Sequence, residues 1–235
     1  MEKLNELKRI IGNQAFSAQY QQDPAAPEGN RIRLECFGTY DVLPERSQFN
    51  TVIMSIDAAT SELPSSDYSV CTVWGLHADS WYLADVMRER LRYPDLRRRT
   101  IELMTHWKAD RVVIEKASNG TALFDDLFYT ERYRGRIVDL RPDLDKEMRV
   151  EAATAELETG KFLLPTQAHW LEEFRRECRA FPAGRYDDQV DSLTQFVNWQ
   201  KMPWVKSYVS RGSRAISPRP TLKQRIHDSY RRKAE

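Results

Sequence analysis

No stretch of the 235 residues approaches the roughly 20 consecutive apolar residues of a membrane-spanning helix, so no membrane span is expected. The opening Met1-Glu-Lys-Leu-Asn-Glu-Leu-Lys8 has no apolar signal-peptide core, which argues against secretion. Cysteine is scarce. Cys36, Cys71 and Cys178 are widely spaced and form no CxxC pair, which excludes a disulfide framework and fits ordinary thiols in a reducing cytosol. His77, His106, His169 and His227 show no zinc-ligand spacing. A GxxxxGK[ST] loop is missing, so hydrolysis of ATP by a P-loop in this chain is not expected. Ser118 and Ser192 have no histidine placed to activate them, which argues against a serine nucleophile. No internal repeat is present.

What is present is a chain that is 41% hydrophobic and 30% charged, enough for one domain with a core and some peripheral segments. The net charge of +1 hides an asymmetry. Residues 206–235 carry nine Lys/Arg against Asp228 and Glu235, a net of +7, which leaves −6 for residues 1–205. An acidic body with a basic tail suits a molecule that holds cations in one place and an anionic polymer in another; a solvated, structureless tail explains the charge equally well.

Residues 1–48 read as an entry arm. A helical pattern (Leu4, Leu7, Ile10, Ile11) leads to the punctuating Pro24-Ala-Ala-Pro-Glu-Gly29. A globular body is expected over 49–203, and a basic, flexible tail over 204–235. Within the body, Thr51–Ala58, Tyr68–Leu76 and Ser80–Val86 read as strands on their β-branched and aromatic content. Pro94 opens a helix through Trp107. Arg111–Glu115 is a short apolar strand of the kind covered on both faces. A helix after Asn119-Gly120 and a strand over Arg136–Leu140 come next. Helices over 144–159, Trp170–Cys178 and Asp187–Gln200 close the body. Three strands in tight succession must be antiparallel, and the next two, separated by helices, are parallel additions. The fold class expected is α/β: a ribonuclease H-like mixed sheet of three antiparallel strands then two parallel strands, flanked by helices.

On this order of elements, three acidic clusters fall at one edge. Asp57 ends the first strand, Glu115 ends the fourth, and Asp187-Asp188-Gln-Val-Asp191 opens the last helix. Lone carboxylates at the ends of buried strands are costly unless compensated. Hard Mg²⁺ or Mn²⁺, which take oxygen ligands, are the usual compensation. Two such ions can stabilise both the attacking and leaving oxygens of a phosphodiester displacement. Asp57, on the first strand, is the natural bridging ligand. Asp188 and Asp191 are three apart and Asp187 and Asp191 four apart, so either pair shares a helix face and spacing alone does not choose between them. Each acid alone has an ordinary explanation: a turn at Asp57, a helix cap at Asp187 or Asp188, a surface pair at Glu115-Lys116. The ordered set is what carries the metal reading. Lys116, Lys146 and Arg149 lie near this site in sequence order and are candidates to position a phosphate. The run Arg88, Arg90, Arg92, Arg97, Arg98, Arg99 is either a phosphate contact or a solvated helix face.

Several stretches resemble the C-terminal nuclease domain of the tailed-bacteriophage or prophage terminase large subunit. They are Phe16-Ser-Ala-Gln-Tyr-Gln-Gln-Asp-Pro24, Ser55-Ile-Asp-Ala58 with Ser66-Asp-Tyr-Ser69, Val113-Ile-Glu-Lys-Ala-Ser-Asn-Gly-Thr121, Asp145-Lys-Glu-Met-Arg149, and Phe181-Pro with Tyr186-Asp-Asp-Gln-Val-Asp-Ser-Leu193. Together they span about residues 14–199. The resemblance implies a ribonuclease H-like endonuclease that uses two Mg²⁺ or Mn²⁺ ions to cut concatemeric double-stranded viral DNA during genome packaging. Asp57 and Glu115 match the family's strand acids and Asp188 its helix acid. Asp191 matches a second helix acid seen in related Holliday-junction resolvases, Asp187 is the less certain member, and Asp67 matches a recurring position of unassigned role. The implied partners are DNA, a portal protein, a small terminase subunit and an ATPase motor, in the cytoplasm of a bacterial host. The family's Walker motifs are absent here, so the chain is expected to be an excised domain or a shortened product, with residues 1–48 as the arm after a missing motor. Two other functions stay open on the sequence: a structure-selective resolvase or ribonuclease of the same fold, and a non-catalytic DNA- or portal-docking module, which the basic tail favours.

Overall fold

The chain is described as a computed structural model covering residues 31–59, 67–117, 119–140, 146–202 and 205. The leading helical pattern, Ser118 and the basic tail from 206 onward lie outside the described residues. A single seven-stranded sheet organises the rest, in the order β1-β7-β4-β3-β2-β5-β6. Its strands are β1 (Gly38–Tyr40), β2 (Thr51–Asp57), β3 (Ser69–His77), β4 (Ser80–Glu89), β5 (Arg111–Glu115), β6 (Ile137–Leu140) and β7 (Phe162–Pro165). The helices are α1 (Tyr93–His106), α2 (Asn119–Tyr129), α3 (Lys146–Leu157), α4 (Leu171–Ala180) and α5 (Asp188–Gln200).

The expected core of the sheet is present. β2, β3 and β4 form an antiparallel meander, and β5 and β6 add to β2 in parallel. The β3–β4 turn is tight, with Ala78 and Asp79 at φ 47° and 61°. Two short strands go beyond the expected five. β7 adds parallel to β4, and β1 adds parallel to β7 at the edge. Each has only three or four residues, too few to show an alternation, so their pairing rather than their pattern defines them.

β1 also moves the start of the body. Ile32 is fully buried and Phe37 nearly so, and Phe49 packs its ring over Gly75. A Cβ at Gly75 would fall 2.5 Å from that ring, so the position accommodates no side chain as the ring now lies. Residues 32–48, read from sequence as part of an arm, are therefore folded onto the sheet. Their apolar residues are too sparse to show a period.

Both faces of the sheet are covered, which is why β2, β3 and β5 read as near-continuous apolar runs. Alternation still sorts their side chains. Val52, Met54, Ile56, Val112 and Ile114 pack with α1 and α2. Ile53 and Val113 pack with α3, α4 and α5 on the other face. Asp57 and Glu115 have the parity of Ile53 and Val113, so both belong to the α5 face. The β2–β5 register, Ile56 opposite Ile114, sets them side by side at the carboxyl ends of parallel strands.

Candidate metal centre

Helix α5 brings the third acidic cluster to that edge, and buried polar contacts hold it there. Ser192 Oγ donates to the Ser55 carbonyl at 2.9 Å, and Ser55 Oγ donates to the Ser192 carbonyl at 3.0 Å. Ser192 Oγ also meets Thr72 Oγ1 at 2.9 Å. Gln195 Nε2 donates to the carbonyls of Ile56 and Val113, at 3.3 and 3.1 Å, and so ties the helix to both acid-bearing strands. Aromatic packing continues below: Trp74 stacks on Phe196 with centroids 4.7 Å apart. None of these partners follows from local pattern. The signal in the sequence was a small polar residue at 192 beside the apolar positions of an amphipathic helix.

A second set of contacts steadies the start of α5. Buried Glu177 on α4 accepts from the Gln189 backbone N–H at 2.6 Å and from its side-chain amide at 2.7 Å. Arg88 Nε lies 3.2 Å from the same carboxylate, and its guanidinium sits 3.5 Å over the Tyr68 ring. Arg90 covers the same ring and donates to the Tyr186 hydroxyl at 3.0 Å. Arg97, Arg98 and Arg99 form ion pairs with neighbouring acids on and around α1. These contacts give the arginine run a structural role.

The carboxylates do interact. Burial pushes the Asp57 carboxyl well above its usual range, and the charges of Asp191, Asp188 and Glu115 push it further, with Lys146 pulling it back. Asp191 is raised to about 6 by burial, against the pull of Lys146. Asp188 is 5% exposed and raised to about 6, again chiefly by burial, although it accepts the Tyr68 backbone N–H at 3.2 Å. The charges of Glu177, Asp67 and Asp187 raise it too, which is the one effect of Asp67 visible here. Asp187 stands at the N-cap of α5, yet its side chain makes no cap bond and instead pairs with Lys146. That pairing argues against simple capping.

Two cations from α3 offset part of this charge. Lys146 Nζ pairs with Asp187 and lies 2.7 Å from Asp191 Oδ2. Burial works against its charge, but the two aspartates prevail and the ammonium is held protonated. Arg149 Nη1 is 3.0 Å from Glu115 Oε2. Lys116 is placed differently: it pairs with Asp125 at 3.3 Å and lies over the Phe124 ring of α2. Among the described residues, no three His, Cys, Asp or Glu side chains are gathered closely enough to hold an ion as they stand. Asp187 and Asp191 face Lys146, Glu115 faces Arg149, and Asp188 accepts the Tyr68 amide.

The donor set nonetheless fits a hard divalent cation. It is all carboxylate oxygen, and the carboxylates come from three rigid elements with Asp57 electrostatically frustrated among them. Lys146 and Arg149 supply positive charge at the same edge. Among the described residues no helix is long and apolar enough to cross a membrane.

Comparison with known proteins agrees with this architecture. No curated protein matches the chain. Among solved structures, the large terminase nuclease of thermophilic phage G20c with bound magnesium superposes with a TM-score of 0.57 at 17% identity, over 74% of this chain and 98% of that one. The same nuclease with bound cobalt gives 0.55 at 17% identity, over 74% and 98%. The large terminase of thermophilic bacteriophage D6E gives 0.54 at 14% identity, over 72% of this chain but only 45% of that one. The chain thus spans under half the length of that larger relative. At such identities the likeness establishes the ribonuclease H-like fold. The Terminase RNaseH-like domain family matches residues 54–199, more than half of the sequence, and the chain belongs to that family.

Proposed function

We propose that this chain is a divalent-metal-dependent endonuclease that cuts double-stranded DNA, acting on concatemeric viral DNA during genome packaging. The observation that carries the reading is the convergence of acids from three elements at the carboxyl edge of β2 and β5, where Asp191, Asp188 and Glu115 all act on buried Asp57. So much buried negative charge in one place, retained on rigid elements, is suited to holding cations. The similar G20c nuclease with bound magnesium adds support.

In this reading Asp57, Glu115 and Asp191 would hold the ions. Asp188, bonded to the Tyr68 amide, and Asp187 complete the set. Two Mg²⁺ or Mn²⁺ ions bound there would supply an activated water and charge stabilisation at the scissile phosphate. The chain's own contribution is orientation. Ser192 and Gln195 fix α5 against the strands, and Arg149 holds Glu115 in place. Lys146 and Arg149 also offer positive charge to a DNA phosphate. Portal protein, small subunit and motor are the partners this role would call for, in a bacterial cytoplasm.

The test is cleavage of supercoiled plasmid with Mn²⁺ or Mg²⁺, with and without chelator. Metal-dependent nicking that Asp57→Ala abolishes is the expected result. Equal cutting by that variant would sink the site assignment. A clear preference for four-way junctions or RNA–DNA hybrids over plain duplex would favour a resolvase or ribonuclease. Duplex binding with no cutting under any metal condition would favour a docking module.

A further inference from the structure

We propose that Lys146 is an exchangeable counter-cation of the acid cluster, which divalent metal must displace and which then faces the DNA phosphate. This rests on the metal-dependent nuclease reading above. The ammonium sits between Asp187 and Asp191 and forms its hydrogen bonds with those two carboxylates. The ammonium engages one oxygen, Oδ2, of each aspartate, so a metal ion that ligates through those oxygens competes with the lysine for them.

Its neighbour on α3 behaves differently. Arg149 also pairs with a site acid, but its backbone carbonyl accepts Asn198 Nδ2 at 2.8 Å, which anchors its turn of α3 to α5. Its side chain is 20% exposed, whereas that of Lys146 is 36% exposed. Lys146 lies in the first described turn of α3 and carries its charge on a flexible four-carbon stem, which can swing outward without unpacking the helix. The released ammonium stays tethered beside the site as a single positive charge, where a phosphate oxygen can take the place of the aspartates. One residue then has two duties. It offsets part of the negative charge of the metal-free site, and it raises the metal concentration needed to load it. Arg149 remains on Glu115 throughout.

The experiment is Mn²⁺ binding to the full chain, followed by electron paramagnetic resonance of the free ion. Lys146→Met should bind Mn²⁺ more tightly, by about fivefold or more, because the fraction of sites open to metal rises. An unchanged or weaker affinity in a folded Lys146→Met overturns the proposal. A second measurement uses the unaltered chain, in case the variant does not fold. Acetylation of Lys146 by acetic anhydride, read by mass spectrometry, should rise on adding Mn²⁺ while that of Lys108 stays constant. No rise at Lys146 overturns the exchange. Equal Mn²⁺ affinity in the two chains defeats only the exchange, whereas no Mn²⁺ binding by either chain defeats the metal-dependent reading with it.

Discussion

Asp57 follows six fully buried residues on β2, and three other acids act on it from two neighbouring elements. Such a carboxylate is retained at a cost to stability, as is common at functional sites. Asp57→Asn should therefore abolish metal-dependent nicking, with a loss of about 100-fold or more for several kcal/mol of lost charge stabilisation. It should also make the metal-free chain more stable toward urea at pH 7.5. Loss of both activity and stability would point to a packing role instead. Asp188 makes a pH prediction. Burial pushes its carboxyl up to about 6 in the folded chain, from the ordinary aspartate range near 3.8. A raised carboxyl favours folding below its unfolded value, and that advantage is lost as pH rises through about 6. Asp188→Asn, which can still accept the Tyr68 N–H, should match the parent's urea midpoint near pH 4. It should gain about 1–2 kcal/mol at pH 7.5 in chelator. A gain independent of pH would contradict the assignment of cause.

At the scale of the element, α5 matters most, since its first turn supplies acids and its later turns supply the grip. Ser192 Oγ is fully buried and shared among the Ser55 carbonyl, the Thr72 hydroxyl and the Thr72 N–H. Ser192→Ala removes these together and leaves buried groups unpaired, so we expect a loss of about 1–3 kcal/mol by chemical denaturation. Nicking at saturating metal should fall as well, because α5 loses its registration on β2. Helix α2 makes a similar demand. A Cβ at Gly120 would lie 2.1 Å from the Glu115 carbonyl oxygen, so the helix start and the end of β5 touch through glycine alone. Gly120→Ala must push the backbone of Glu115, and we expect weakened Mn²⁺ binding with only a modest fall in melting temperature. Unchanged metal affinity in that variant would mean that Glu115 is not a ligand.

For the whole molecule, the proposed function makes the opposition of an acidic body and a basic tail in the sequence a testable determinant of DNA binding. Deleting residues 206–235 should weaken duplex binding and flatten its dependence on salt, as expected when phosphate contacts are lost. Mn²⁺ affinity should be unchanged by that deletion. A loss of metal binding would show that the tail supports the site as well as the polymer. The meander, the two parallel additions and the acids at their ends were legible because each carries a local signature. β2 and β5 are apolar runs with an acid at the end, and α1 opens at a proline. β1, β7 and the folding of residues 32–48 onto the sheet were not legible. Short edge strands are defined by partners distant in the chain, Gly38 by Leu163 and Trp81 by Phe162.

By itself, the sequence determined the ribonuclease H-like order of elements and the three places where acids arise. Hydrophobic period and turn chemistry are local properties, and parity along β2 and β5 already assigns Asp57 and Glu115 to one face. Only the tertiary structure decided how the last cluster divides. Asp191 faces Lys146, Asp188 turns to the Tyr68 amide, and Asp187 leaves its cap for the lysine. Helical spacing leaves those choices degenerate. They are made by the charges and donors that α3 and the approach to β3 bring against the helix, and the energy of a buried carboxylate depends on such neighbours more than on its place in the chain.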